Sequence, residues 1–369
     1  MKTSEGERIL RSLLVHLLCA IFPLAVYSQP ANDSFEALYE QGTILANDED
    51  YRQAHEVFNR ALDTLKRNPD VNRIHLLDVL DTQASIAVYW DNVPLMQQYL
   101  QQGIAANENP DGTVVSEHHA YRFAYLQAIA ADKHGDALSA VQYNQASITW
   151  LEKIQTEPNL ETAQAYLALA RRLRDVEEHE LSLQHLNEWF PYFLAELGPH
   201  NPNVRFMYFL RGQNLLALKE NDEAIESFER AIEAYENNIP LRTDEVEATY
   251  QILANYYRQR SMLDEAAQYW HHAALLREHH YGSLDPERGV YLHYLASVHK
   301  ERAEWEQAQM LNLEARNIFL QAPRDTHFWL LFIDKALTET YMAQGQYLKA
   351  ARYSTSYNAR FLTQMIPRF

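Results

Sequence analysis

From Asn221 onward, Ala224, Phe228, Ala231 and Tyr235 recur at i, i+4, i+7 and i+11, which is one face of a helix. Asn221 is the expected N-cap, and Asp222 and Glu223 fall in the first turn, where the helix dipole favours acids. Small and large residues alternate on this face, so a neighbouring helix can lie close to Ala224 and Ala231 while Phe228 fills the gap. The pattern returns along the chain. The small slot reads Ala54, Met96, Ser139, Ser182, Ala224, Ala266, Ala308 and Ala350, at successive spacings of 42, 43, 43, 42, 42, 42 and 42 residues. The bulky slot four residues on reads Phe58, Leu100, Tyr143, Leu186, Phe228, Trp270, Asn312 and Ser354. The third, fourth and eighth units fit more loosely and admit a shift of one residue. A fixed period of this length is the sequence signature of a solenoid.

A second pattern lies upstream. Twelve residues before each slot stands Gly42, Ala84, Gln127, Ala170, Gly212, Ala254, Ala296 or Thr338, mostly small, often with a large residue four before it. Two helices per unit, meeting at small residues and packed with aromatics, resemble the tetratricopeptide repeat. The period exceeds that family's usual length and is similar to the variety found in kinesin light chains and many bacterial proteins. The connector Leu197-Gly198-Pro199-His200-Asn201-Pro202-Asn203-Val204 is close to that variety's Leu-Gly-Pro-x-His-Pro-x-Val linker, and Tyr281 to Pro286 is a looser copy.

The resemblance implies an all-α fold, a right-handed α-solenoid of about eight tetratricopeptide helix pairs. The expected units run near 35–68, 72–109, 114–156, 159–199, 202–239, 243–284, 286–322 and 325–367, within one continuous domain over 29–369. Sixteen helices are expected, with Asp91 and Asn92 capping the second helix of unit two. Pro191, inside the second helix of unit four, is expected to kink or end that helix near Phe190.

Residues 1–28 read as a secretory signal peptide. Lys2, Arg8 and Arg11 precede an apolar stretch from Leu13 to Ala25 that is short for a membrane span, and Ser28 offers a small residue before a cut. An uncleaved anchor is one alternative. Lipid attachment at Cys19 is another, although Leu18 stands where that signal has a small residue. Cys19 is the only cysteine, so a cleaved chain has no disulfide, no thiol nucleophile and no thiolate ligand. This points to the periplasm or full secretion, with no membrane span in the mature chain. The net charge of −18 and the lack of a Lys/Arg-rich run argue against nucleic-acid binding.

No phosphate-binding glycine loop, His-Glu-x-x-His, Gly-x-Ser-x-Gly or dinucleotide fingerprint occurs, so no enzyme and no cofactor is expected. The pairs His118-His119, His271-His272 and His279-His280 stand out. Neighbours on a helix point about 100° apart, so such a pair chelates poorly, and packed or solvated histidines are preferred over a metal site.

The resemblance places function on the first helix of each pair, which lines the inner groove and holds an extended or helical peptide. The expected groove residues are Gln164, Arg171 and Arg174 in unit four, Phe206, Phe209 and Gln213 in unit five, Gln251, Asn255 and Arg258 in unit six, Lys300 in unit seven and Lys335, beside Phe332, in unit eight. Amides here suit a peptide backbone and arginines suit carboxylates. Asn255 with Arg258 and Arg171 is a faint analogue of the family's carboxylate clamp, without its spacing. Ordinary solvated charges are the competing reading. Asp78, Asp81, Ser85 and Tyr121 make the N-terminal half of the expected groove acidic against a basic C-terminal half.

A second expected surface is the apolar end carrying Phe361, Leu362, Ile366 and Phe369. It either folds back as a cap or docks a partner or a second copy. The expected function is therefore a non-enzymatic scaffold binding a protein or peptide segment. A structural assembly factor acting through the C-terminal end or by self-association is the alternative.

Overall fold

The computed structural model describes residues 34–65, 72–155, 157–236, 243–323 and 328–365. The signal-peptide segment 1–28 lies outside them, as do Ile366 and Phe369. Among the described residues the chain forms sixteen helices and no strand, with one isolated antiparallel bridge between Glu108 and Val114. The first unit pairs α1 (Phe35–Asn47) with α2 (Tyr51–Thr64), and the second α3 (Arg73–Tyr89) with α4 (Val93–Asn107). Then follow α5 (Glu117–His134) with α6 (Ala137–Ile154), α7 (Leu160–Asp175) with α8 (His179–Leu197) and α9 (Pro202–Ala217) with α10 (Asn221–Glu236). The last three pairs are α11 (Thr243–Gln259) with α12 (Leu263–Tyr281), α13 (Pro286–Glu301) with α14 (Trp305–Gln321) and α15 (Trp329–Ala343) with α16 (Tyr347–Met365). This is an all-helical repeat solenoid. By internal contacts it divides into two compact units, Met1–Ala224 and Ile225–Phe369, with the division falling inside α10.

One turn joins the two helices in all eight pairs. Glu49, Asp91, Gly135, Glu177, Lys219, Ser261, Ala303 and Gly345 each have positive φ at the same place in their unit. The next residue's N–H then reaches back to a carbonyl five residues earlier: Asp50 to Leu45 at 2.9 Å, Asp136 to Ala131 at 2.9 Å, Glu304 to His299 at 2.9 Å. This is a Schellman closure, which satisfies carbonyls that a helix end leaves open. In units one to three the same residue then caps the next helix, with Asp50, Asn92 and Asp136 side chains accepting from Gln53, Leu95 and Ser139 N–H. Asn221, the expected cap of α10, lies in the helix instead, because Glu220 supplies the first carbonyl to Ala224.

Connectors between pairs vary more, yet the two Gly-Pro-like linkers share one backbone. Gly198 (φ 76°, ψ 166°) and Gly282 (φ 92°, ψ 167°) take a conformation open essentially to glycine alone. Each is followed by a capping side chain and a proline at the first helical position, Asn201-Pro202 and Asp285-Pro286.

The small slots are where helices touch. A methyl on Gly42 of α1 would lie 2.5 Å from Phe58 Cε1 of α2, so the missing side chain is what lets the ring sit there. In the third unit the register moves by one: Ala128, Ala140, Asn144 and Ser147 are fully buried, while Gln127 and Ser139 are only partly so. The shift arises in the long connector before α5, where Asn107 and Ser116 exchange hydrogen bonds around the Glu108–Val114 bridge. The fourth and eighth units keep the slot, with Ser182 and Ala350 buried.

Helix α8 runs through Pro191 rather than ending at Phe190. Pro191 cannot donate to Asn187, four residues back, and both are exposed, so water can reach the orphaned carbonyl. Trp189, in a slot that is small in most units, stacks on Tyr166 with ring centres 5.1 Å apart.

Candidate functional site

The first helices form the continuous surface within each compact unit. Alternate helices meet at α1 and α3, α3 and α5, α7 and α9, and α13 and α15, all of them first helices. A side chain on this surface therefore sees both its own helix and the equivalent helix one repeat away.

That neighbour takes most of the charge. Tyr39 donates to Asp78 at 3.0 Å, Arg171 to Asp132 at 2.7 Å, Arg174 to Gln213, and Lys300 to Glu339 at 2.7 Å. All four pairs are 39 residues apart, one repeat less one short helical step. Arg258 reaches Glu301 through Nε at 2.9 Å, and Gln251 donates to the Tyr291 hydroxyl at 2.8 Å. Within each compact unit these bonds tie neighbouring first helices into a polar ladder.

The expected groove residues divide accordingly. Arg171, Arg174, Gln213, Gln251, Arg258 and Lys300 are bonded across to a neighbouring repeat. Phe209 is buried, at 7% exposure, and packs in the interior instead of lining an open face. Gln164 and Phe206 are half-buried, and Phe206 packs against the core of α7 to α9. Asn255 and Lys335 are exposed, as is Phe332 at 48%. The acidic N-terminal end is largely withdrawn, with Asp81, Ser85 and Tyr121 buried and Asp78 half-buried. Asp81 is buried under Arg122, whose Nε donates to it at 3.0 Å, and Arg122 also reaches Ser85 at 3.4 Å. Burial opposes the Arg122 charge, and Asp81 outweighs it, holding the guanidinium above its ordinary range. Asp78 meets His119 Nε2 at 3.1 Å besides Tyr39, and Tyr121 is buried.

Sequence reasoning missed the buried partners. Arg172, one residue past an expected groove residue, is the more deeply placed: it bonds Asp132 at 3.0 Å and Asn144 inside the core. It also missed two exposed residues, Phe328 at the N-cap of α15 and Met342 within it. Complementary polar residues 39 apart were the signal available for the ladder.

Some of the histidines are absorbed by packing, while His271, His279 and His280 are exposed. His119 is buried against Asp78, His293 meets Asn312 Oδ1 at 2.8 Å, and burial lowers the pKa of His118, His185 and His293. Among the described residues no group of three or more His, Cys, Asp or Glu is placed to hold a metal ion, and no helix is long and apolar enough to cross a membrane. At the C-terminus α16 continues through Phe361 and Leu362 to Met365, so these residues extend the last helix and do not fold back over it. Phe361 stacks on Tyr357 with ring centres 6.0 Å apart.

Paired helices on a fixed period make this an all-helical repeat solenoid that resembles tetratricopeptide-repeat proteins. Residues 161–237 match the tetratricopeptide repeat family model. The apo form of RapI is similar in fold, with a TM-score of 0.60, 12% identity, and coverage of 90% of this chain and 99% of that one. The apo form of the quorum sensor NprR from B. thuringiensis gives a TM-score of 0.52 at 12% identity, covering 88% and 97%. A putative kinesin light chain from Podosopora anserina with TPR-like repeats is 18% identical over 55% of this chain and 96% of its own, with a TM-score of 0.45. No curated protein matches the sequence.

Proposed function

We propose that this chain is a non-enzymatic interaction scaffold that holds an extended segment of another protein against its first helices. The observation that carries the reading is the contrast within that face in the second compact unit. Arg258 and Lys300 are tied into the ladder, while Asn255, Phe332 and Lys335 stand open on α11 and α15. A ladder that fixes the helices makes a preorganised surface, which lowers the ordering cost of binding. An open aromatic supplies burial, an open amide can bond a peptide backbone, and an open ammonium favours an acidic residue nearby. The shared fold with NprR, a quorum sensor, is in keeping with a protein or peptide ligand.

The expected N-terminal signal adds a compartment. We propose export across a membrane with cleavage after Ser28, which mass measurement of the mature N-terminus tests directly.

The groove is tested by selecting binders from a displayed peptide library on the full mature chain. Selected peptides should weaken at least tenfold on Phe332→Ala or Lys335→Glu and hold their affinity on Glu56→Ala, a change on the second helix of the first pair. Equal affinity for all of these proteins overturns the groove.

A further inference from the structure

Helix α15 and its N-cap residue carry a second regularity. Phe328, Phe332, Lys335, Glu339 and Met342 follow at steps of 4, 3, 4 and 3, and every one is exposed. Alternating steps of this kind draw a straight seam along a helix, as in a coiled coil. Apolar residues stand at its two ends and opposite charges at its centre. Phe328 and Met342 are 45% and 51% exposed, comparable with Phe332. Lys335 makes no hydrogen bond or ion pair among the described residues. Glu339 accepts from Lys300 through Oε2, and its side chain keeps 45% exposure.

We infer that this seam is a self-association surface whose occupant is the same seam of a second copy, running antiparallel. Turning one copy around sets Lys335 against Glu339 of the second copy, and Glu339 against its Lys335. The same turn sets Phe332 against Met342 at both ends, a thioether on an aromatic ring. The arrangement is isologous, as a two-fold interface must be. A parallel arrangement would stack Lys335 on Lys335 and Glu339 on Glu339, so the charges select the antiparallel one. Partners in general would have no reason to match this order of residues; an identical helix matches it by construction. The inference stands apart from the segment-binding reading, because it asks only that the seam meet itself. Where both hold, a bound segment and a second copy compete for Phe332 and Lys335.

Four positions a side meet in this register, with Phe328 lying beyond it, and that falls well short of the roughly 20–30 residues of a stable interface. The dimer is therefore weak, with a Kd on the order of 10–100 μM. Sedimentation velocity on the full mature chain, across a concentration series through that range, reads it. The wild type should shift from one mass to twice that mass. Lys335→Glu alone and Glu339→Lys alone should each stay monomeric, with unchanged circular dichroism. Mixing the two variants should restore the dimer, since both ion pairs then re-form between unlike copies. Phe332→Ala, which leaves the Lys300 contact alone, should also be monomeric. A wild type that remains monomeric throughout the series overturns the inference. So does a dimer that survives Lys335→Glu, or a mixture that fails to associate.

Discussion

Eight turns share one strained backbone position, and only two use the residue suited to it. Gly135 and Gly345 have φ of 75° and 71°, while Ala303 is held at 58° and Ser261 at 60°. An L-residue in this region costs roughly 1–2 kcal/mol from the clash of Cβ with the following carbonyl. Glycine avoids that clash but gives up roughly 0.5–1 kcal/mol through the freer unfolded chain. The balance predicts that Ala303→Gly stabilises its unit by about 0.5–1 kcal/mol. The opposite change is equally clean, because a methyl on Gly135 would meet nothing within 4 Å. Gly135→Ala should therefore cost about 0.5–1 kcal/mol from backbone conformation alone. Urea unfolding followed by hydrogen exchange at α5–α6 and α13–α14 separates the two units, which need not unfold together. A midpoint that rises in Gly135→Ala, or falls in Ala303→Gly at unchanged slope, would refute the conformational argument.

Three other outcomes follow from the packing. Gly42→Ala should destabilise α1–α2 by about 1–3 kcal/mol, since Phe58 must leave its place, and denaturant unfolding will read the loss. Asp334→Ala should cost about 3 kcal/mol and free α16: the buried carboxylate accepts from Arg316 at 2.7 Å, Ser356 at 2.6 Å and Arg360 at 3.2 Å, and exchange along α16 should quicken. Burial lowers His293, so the folded chain resists protonation. The unfolded chain takes the proton first as pH falls through about 6.5, and stability should drop from there through the depressed folded value. His293→Gln should flatten that part of the pH profile of the urea midpoint.

The helices were legible because their small-large pattern repeats. A single small-large stripe is ambiguous, whereas eight copies near 42 residues apart fix type, number and approximate ends of every element. Local chemistry that does not repeat was harder to read. The one-residue shift in unit three comes from the Asn107–Ser116 closure, a contact between two connector residues that no periodicity reports. The strained turns were hidden for the opposite reason. Their backbone repeats in every unit, but Glu, Asp, Lys, Ser and Ala occupy it as well as Gly. There the gain from closing two helices tightly outweighs the local cost, so composition gives no warning.

The groove was read less well, and the reason is physical. Assigning Arg171 or Lys300 to an inner face from its own helix is sound, but a charge on that face meets an equivalent helix as well as a ligand. Where a complementary group stands 39 residues away, the ion pair forms within the chain and the positive strip is neutralised. The same logic says which residues remain for binding: those whose counterpart on the next first helix is missing or apolar. Lys335 carries no such bond among the described residues, and Phe332 one turn before it stays open. Phe332 and Lys335 are such residues on α15, as Asn255 is on α11, so the proposed segment-binding face and the proposed self-pairing seam share α15.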